Sequence, residues 1–165
     1  MKVAAPLALL LLAACGRDEP QAAGGSGGAA LERAARARGL VADAASPVGV
    51  FQTDTDRVCV LPGERDRVIG ASVDYGEGQR CVARGRAIGP APGDQAMQVD
   101  FGNGCTFEAR LEADRLVFPA LLPEACAAAC IGRASLAAIA AARLSDAPAE
   151  AARTRGSDGS LLCPG

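Results

Sequence analysis

The feature that most constrains the fold of this chain is the alternation of apolar and polar residues between positions 48 and 118. In the clearest run, 105–112, apolar residues occupy the odd positions and polar or charged residues the even ones. Successive side chains of a strand point to opposite faces, so this run predicts a strand with one buried and one solvated face. Turn-forming residues flank it at 102–104 and 113–114.

Similar short runs, separated by turn signals, recur along the same segment. The predicted strands cover residues 48–52, 57–61, 67–73, 79–86, 97–101, 105–112 and 115–118. The aromatic residues fall within the same stretch: Phe51, Tyr75, Phe101, Phe107 and Phe118. We therefore predict an antiparallel meander with its core there, forming either a small barrel or a strongly curved sheet.

The C-terminal part has a different character. Residues 122–130 predict a turn or short helix, and 146–153 predict a helix with Pro148 in its first turn. The alanine-rich segment 135–145 is helical by propensity, although its position also allows a last strand covering the sheet edge; we prefer the helix. The predicted fold class is mainly β with a helical C-terminal part, that is, α+β.

The first fourteen residues have the layout of a secretory signal. Lys2 precedes an apolar run, 3–14, which is shorter than the ~20 residues that span a bilayer core. The segment Leu12-Ala13-Ala14-Cys15 resembles the lipobox of bacterial lipoproteins. The resemblance implies cleavage before Cys15, lipidation of its thiol and anchoring through acyl chains; the alternative is an ordinary signal peptide with a cysteine near its cut.

Three segments follow from this interpretation: a signal peptide (1–14), a lipidated cysteine with a flexible tether and a short helix (15–46), and a disulfide-stapled β-rich domain (47–165). The tether is the Gly-rich stretch 16–30, and the helix covers 31–39. By resemblance to other lipoproteins, Gly16 in place of an aspartate implies the outer rather than the inner membrane.

The six cysteines after position 58 are an even number in a domain that we expect to be exported, and they predict three disulfides. A metal cluster is disfavoured, since only Cys126 and Cys130 have ligand-like spacing. The six residues are Cys59, Cys81, Cys105, Cys126, Cys130 and Cys163. Cys81 and Cys105 both lie on the inward face of their predicted strands, which favours a bond between them. The four-residue spacing of Cys126 and Cys130 keeps their Cα atoms near bridging range and favours a second bond, which leaves Cys59–Cys163 as the third.

The composition excludes several chemistries. The chain has no histidine, and its only lysine, Lys2, lies in the predicted signal, so Ser–His–Asp, Cys–His and Ser–Lys catalysis and Schiff bases are not expected in the exported domain. The net charge of −2 and the lack of a polybasic run make nucleic acid an unexpected partner. We expect no cofactor, no metal and no enzymatic activity.

Carboxylates are the remaining candidates for a site, and two predicted turns carry them. Asp54 and Asp56 lie in the first turn, and Asp74 and Glu77 flank Tyr75 in the next. These five residues form the candidate binding loops. The simpler interpretation is that these acids are solvated turn residues. A carboxylate-based hydrolase would need two acids that face one cleft. A calcium site would need more oxygen ligands than one such turn offers.

Segments 73–79, 126–136 and 162–163, with the cysteines, resemble uncharacterised small lipoproteins of Gram-negative bacteria. That resemblance implies one disulfide-framed domain and no particular activity. A weaker, purely architectural likeness is to periplasmic β-barrel inhibitor lipoproteins, whose tryptophan-bearing motifs this chain lacks.

The leading functional hypothesis is a non-catalytic binding or inhibitor-like domain in the cell envelope, held on the membrane through Cys15, with an unknown envelope protein as a possible partner. The alternatives are a structural accessory of an outer-membrane assembly and a carboxylate-based hydrolase.

Overall fold

The computed structural model describes residues 24–38, 40, 46–89 and 95–164. The predicted signal peptide, Cys15 and the first part of the tether lie outside the described residues, as do Gly39 and most of the predicted 89–93 loop. The strands of the described part are β1 Gly49–Gln52, β2 Asp56–Leu61, β3 Arg67–Asp74, β4 Arg80–Ile88, β5 Ala96–Asp100, β6 Thr106–Glu112, β7 Arg115–Val117, β8 Cys130–Ile131 and β9 Ala140–Ser145. The helices are α1 Gly24–Ala37, a 3₁₀ helix Glu124–Ala129 and α2 Pro148–Ala151.

Eight of these strands form a closed antiparallel barrel. Each of β1 to β6 pairs with the next strand, β7 pairs with β9, and β9 returns to β1, while β8 adds a short pairing to the start of β4. Closure joins the two ends of the sheet, so that each barrel strand of the described chain has a neighbour on both sides over at least part of its length. The predicted mainly β fold, a small barrel stapled by disulfides, is thereby confirmed.

Side chains fill the interior of the barrel. The alternation in 105–112 is confirmed, because the odd positions are buried and the even positions exposed. The larger fully buried residues of this core are Phe51, Val58, Val60, Ile69, Val73, Met97, Val99, Leu116, Phe118, Leu136 and Ile139. The buried side chains therefore pack the barrel interior into one apolar core.

A second apolar cluster lies outside the barrel wall. The C-terminal tail, residues 147–163, covers the outer face of β1 to β3, where Ala151 and Leu162 pack with Val50 and Leu61. The tail lies so close to β3 that a Cβ at Gly70 would stand 2.2 Å from the Leu162 carbonyl oxygen. The outer faces of β5 and β6 carry exposed polar side chains instead.

The antiparallel order places four connections at one end of the barrel, which we call the loop end: residues 53–55, 75–79, 101–105 and 118–139. The long connection between β7 and β9 folds over this end. It contains the 3₁₀ helix and β8, and β8 pairs in register with β4 at Cys130 and Cys81.

The three disulfides are Cys59–Cys163, Cys81–Cys130 and Cys105–Cys126. The first agrees with the predicted pair, whereas the predicted Cys81–Cys105 and Cys126–Cys130 bonds are wrong. Cys81 and Cys105 are both buried, as their parity indicated, but each finds its partner in the connection that covers the loop end. Four residues along a 3₁₀ helix span ~8 Å, which is beyond bridging range.

The helix predicted over 135–145 is also wrong, because residues 140–145 form β9. This strand pairs with both β7 and β1 and completes the barrel. Tertiary pairing on both sides outweighs the helical propensity of alanine. The predicted 146–153 helix shortens to the single turn α2.

Helix α1 begins earlier than predicted. The sequence assigns residues 24–30 to the tether, yet they are helical together with 31–37. The alanine-rich second half is a strong helix former, and Glu32 and Arg36 form an ion pair at 2.6 Å. Adding a residue to an existing helix costs less free energy than nucleating a new one, so the helix of 31–37 extends toward the N-terminus through residues 24–30.

Candidate binding surface

The five residues of the predicted binding loops lie at the loop end, in the β1–β2 and β3–β4 connections. The Asp74 amide donates to the Thr55 carbonyl oxygen at 2.9 Å, which joins the two connections. Asp54, Asp74, Tyr75 and Glu77 are exposed, and Asp56 is half-buried. The structure therefore brings these two loops together, as neighbours on one rim of the barrel.

Hydrogen bonds assign turn roles to two of these acids. Asp74 Oδ1 accepts from the Gly76 amide at 3.0 Å, and Asp56 Oδ1 accepts from the Thr55 hydroxyl at 3.0 Å. Glu77 has a positive φ of 51°, which belongs to the tight turn between Gly76 and Gly78. None of the five residues lines either surface concavity described below.

The larger concavity, of about 370 Å³, lies elsewhere, beside β6 and the end of β7. Its walls are lined by Phe107, Glu108, Arg110, Val117, Phe118, Pro119 and Leu121. We call it the β6 concavity. It lies where the chain after β7 departs from β6 and begins the connection over the loop end.

The departure is visible in the hydrogen bonds. Arg110 still pairs with Val117, but the Phe118 amide donates to the Ile139 carbonyl at 2.8 Å, and the Pro119 carbonyl accepts from the Ala138 amide at 3.0 Å. These groups bond toward the β9 side, and proline has no amide hydrogen to offer. Residues 106–109, the half of β6 nearer the loop end, therefore have no neighbouring strand on this side within the described chain.

An aromatic cluster forms the floor beneath. The rings of Phe107 and Phe118 lie edge to face with centroids 4.8 Å apart, and Phe101 contacts both at 5.8 and 6.4 Å. Such tilted arrangements are the favoured geometry for aromatic pairs. The floor of the β6 concavity is therefore packed and apolar.

The rim combines one apolar and two charged side chains. Leu121 is 90% exposed, the highest value among the exposed large hydrophobic residues of the described chain. Glu108 and Arg110 form an exposed ion pair at 2.6 Å on the other side. Exposed ion pairs contribute little to stability, so both side chains are free to exchange partners at small cost.

A smaller concavity, of about 200 Å³, adjoins the C-terminal tail between Arg80, Ile131 and Asp158. Asp158 accepts hydrogen bonds from the Ser160 hydroxyl at 2.8 Å and from Arg84 Nη2 at 3.0 Å. These bonds, that of Ser160 first, lower the pKa of Asp158 to about 2. The network holds the tail against β4, which makes this site structural in role.

Sequence reasoning did not find the β6 concavity. The available signal was Leu121-Leu122 between two prolines, since adjacent leucines in a turn-rich segment cannot both be buried by period-two alternation. The structure buries Leu122 partly against the core and leaves Leu121 in solvent.

Within the described ranges, no group of three or more His, Cys, Asp or Glu residues is placed to hold a metal ion. No helix of the described chain has the length and apolar character needed to cross a membrane. Comparisons of the chain with protein-family models, curated proteins and solved structures give no match.

Proposed function

We propose that this chain is a cell-envelope lipoprotein of the outer membrane, anchored by lipid on Cys15, whose barrel is a non-catalytic domain that binds another protein. Three disulfides suit an exported protein in an oxidising compartment. The filled barrel interior favours recognition at the outer surface over a ligand held inside.

The observation that carries the binding proposal is the β6 concavity. An apolar floor, an exposed leucine and a charged rim match the anatomy of protein interfaces, in which an apolar centre is surrounded by polar groups. Leu121 is the natural anchor, because an exposed leucine gains most from burial by a partner.

Substitution of Leu121 tests the binding proposal. Partners captured from envelope extracts by the full-length protein are identified, and their affinity is measured for Leu121→Asp and for Leu144→Asp. Leu144 is a matched control, since it is 66% exposed on β9 and does not line the concavity. We expect Leu121→Asp to weaken binding at least tenfold and Leu144→Asp to leave it within twofold; equal effects would refute the assignment of this surface.

The anchor has its own test. Expression with the native N-terminus, followed by membrane fractionation and intact-mass measurement, is expected to give a membrane-bound species carrying acyl chains on Cys15. Cys15→Ser is expected to abolish both the added mass and the sedimentation with membranes. An unmodified, unanchored wild-type product would reject the lipoprotein proposal and leave the binding proposal untouched.

A further inference from the structure

Resting on the proposed binding function, we propose that the β6 concavity takes up an extended segment of a partner protein as an added β-strand, hydrogen-bonded to the backbone of Glu108. The recognised chemistry is a peptide backbone with apolar residues on either side of a basic one. The direction in which the β6 backbone groups point supports this assignment.

Two hydrogen bonds fix that direction. The Phe101 amide donates to the Cys105 carbonyl at 2.9 Å, and the Leu111 amide donates to the Gln95 carbonyl at 2.8 Å, so odd-numbered residues bond across the β5–β6 ladder at both ends. Hydrogen-bonded pairs alternate in an antiparallel ladder. Phe107 and Ala109 therefore bond to β5, and Glu108 directs its N–H and C=O to the opposite side.

On that opposite side β7 stops too early to meet Glu108. The two-residue turn Ala113-Asp114 makes Glu112 and Arg115 a hydrogen-bonded pair, and Arg110 with Val117 the next one. The following pair would join Glu108 to Pro119, which has no amide hydrogen and whose carbonyl bonds to Ala138. Within the described chain, both backbone groups of Glu108 thus face the concavity without a strand partner.

Unpaired backbone groups at a sheet edge select another extended backbone. A helix pairs its own amides and carbonyls internally and has nothing to offer Glu108. In an added strand, the residue opposite Glu108 points outward beside its carboxylate, while its two neighbours point inward toward the Phe107 and Phe118 floor. The bound segment is therefore expected to have a basic residue opposite Glu108 and an apolar residue on each side of it.

Charge disfavours a second copy of this chain as the occupant. Antiparallel self-pairing centred on this edge would set the Glu108 of one copy directly opposite the Glu108 of the other, and like charges directly opposite are destabilising. A basic residue at the same position would instead form an ion pair with the Glu108 carboxylate, which accepts a hydrogen bond from Arg110 in the described chain.

The test uses the disulfide-bonded protein and a capped peptide, Thr-Val-Arg-Val-Thr, with two variants of the peptide. One variant carries an N-methyl group on the arginine amide, and the other has glutamate in place of arginine. Binding is followed by NMR titration of the Glu108 amide and by its hydrogen exchange. We expect the parent peptide to slow exchange of that amide, N-methylation to weaken binding at least tenfold, and the glutamate variant to weaken it several-fold.

On the protein side, Glu108→Pro removes the outward N–H without removing a β5–β6 hydrogen bond, and Glu108→Gln removes only the charge. The proline variant is expected to lose peptide binding and the glutamine variant to retain most of it. Unchanged binding of the N-methylated peptide, or no binding of the parent peptide, would overturn strand addition. Concentration-dependent dimerisation with protection of Glu108 would overturn it in favour of a second copy. All three results leave the Leu121 and Leu144 comparison to judge the proposed function separately.

Discussion

At the scale of single residues, Gly70 shows how closely the C-terminal tail fits the barrel. Its absent side chain makes room for the backbone and side chain of Leu162 on the outer face of β3. An added methyl group must displace backbone, and overpacking of this kind costs about 1–3 kcal/mol.

We expect Gly70→Ala to lower the free energy of unfolding by about 2 kcal/mol, as measured by urea denaturation. Gln98→Ala, on the solvated outer face of β5, is the control and is expected to change stability by less than about 0.5 kcal/mol. An unchanged midpoint for Gly70→Ala would mean that the tail does not lie against β3 in solution.

Asp158 is the residue whose ionisation links tail docking to pH. Its folded pKa, about 2, lies below the ordinary value of 3.8, so the unfolded chain binds the proton more readily. The resulting stabilisation is fully present above about pH 4 and is lost as pH falls toward 2.

We therefore expect Asp158→Asn to flatten the fall of stability between about pH 4 and pH 2, measured by chemical denaturation at fixed ionic strength. Ser160→Ala, which removes the first cause of the shift, is expected to flatten it in part. A pH profile identical to that of the wild type in both variants would contradict the role of this network.

At the scale of elements, the strands with clear alternation and strong turn signals were predictable, and β9 was not. The pattern in 105–112 follows from one buried and one solvated face, which is a local property of the sequence. β9 consists largely of alanine, whose propensity favours a helix, and only the gap between β7 and β1 makes it a strand. That gap exists only once the other seven strands are in place.

The candidate surface was unpredictable for a related reason. The sequence placed acids in turns, and the structure shows two of them serving those turns. The β6 concavity forms because the backbone of Phe118 and Pro119 hydrogen-bonds to Ile139 and Ala138, just before β9, and not to β6. It therefore depends on β9 taking its place in the barrel. Because the sequence favours a helix over 135–145, its strand pattern does not reveal the gap beside β6, and the adjacent leucines Leu121 and Leu122 are the signal that remains.

Hydrogen exchange can examine the exposed edge of β6 in the free protein. We expect the Glu108 amide to exchange orders of magnitude faster than the Phe107 and Ala109 amides, which bond to β5. NMR measurement on the unliganded protein resolves the three amides separately. Strong protection of Glu108 in a monomer would mean that a further segment of this chain already occupies the edge.

At the scale of the whole molecule, the three disulfides divide into two groups. Cys81–Cys130 and Cys105–Cys126 both fix the β7–β9 connection over the loop end, with sequence separations of 49 and 21. Cys59–Cys163 fixes the tail to the outer face of β2, with a separation of 104. The first group thus shapes the end of the barrel beside the β6 concavity, and the second covers the opposite wall.

Removal of Cys59–Cys163 should release the tail from a barrel that remains closed. The strand pairings around the barrel do not involve residues 147–163, whereas the Leu162 amide depends on its bond to the Thr154 carbonyl at 2.8 Å. In the Cys59→Ala, Cys163→Ala double variant we expect rapid exchange of the Leu162 amide, with the β5 and β6 amides still protected. Loop entropy predicts a loss of about 5 kcal/mol in the free energy of unfolding, against about 3 kcal/mol for the Cys105→Ala, Cys126→Ala control.

The control separates a local role of the bond from a general one. The Cys105→Ala, Cys126→Ala variant is expected to keep the Leu162 amide protected and to loosen the chain around the 3₁₀ helix instead, because that is the segment Cys126 holds. If both variants lost protection uniformly over barrel and tail, the tail would belong to the same cooperative unit as the barrel. The division between a closed barrel and a separately fastened tail would then be wrong.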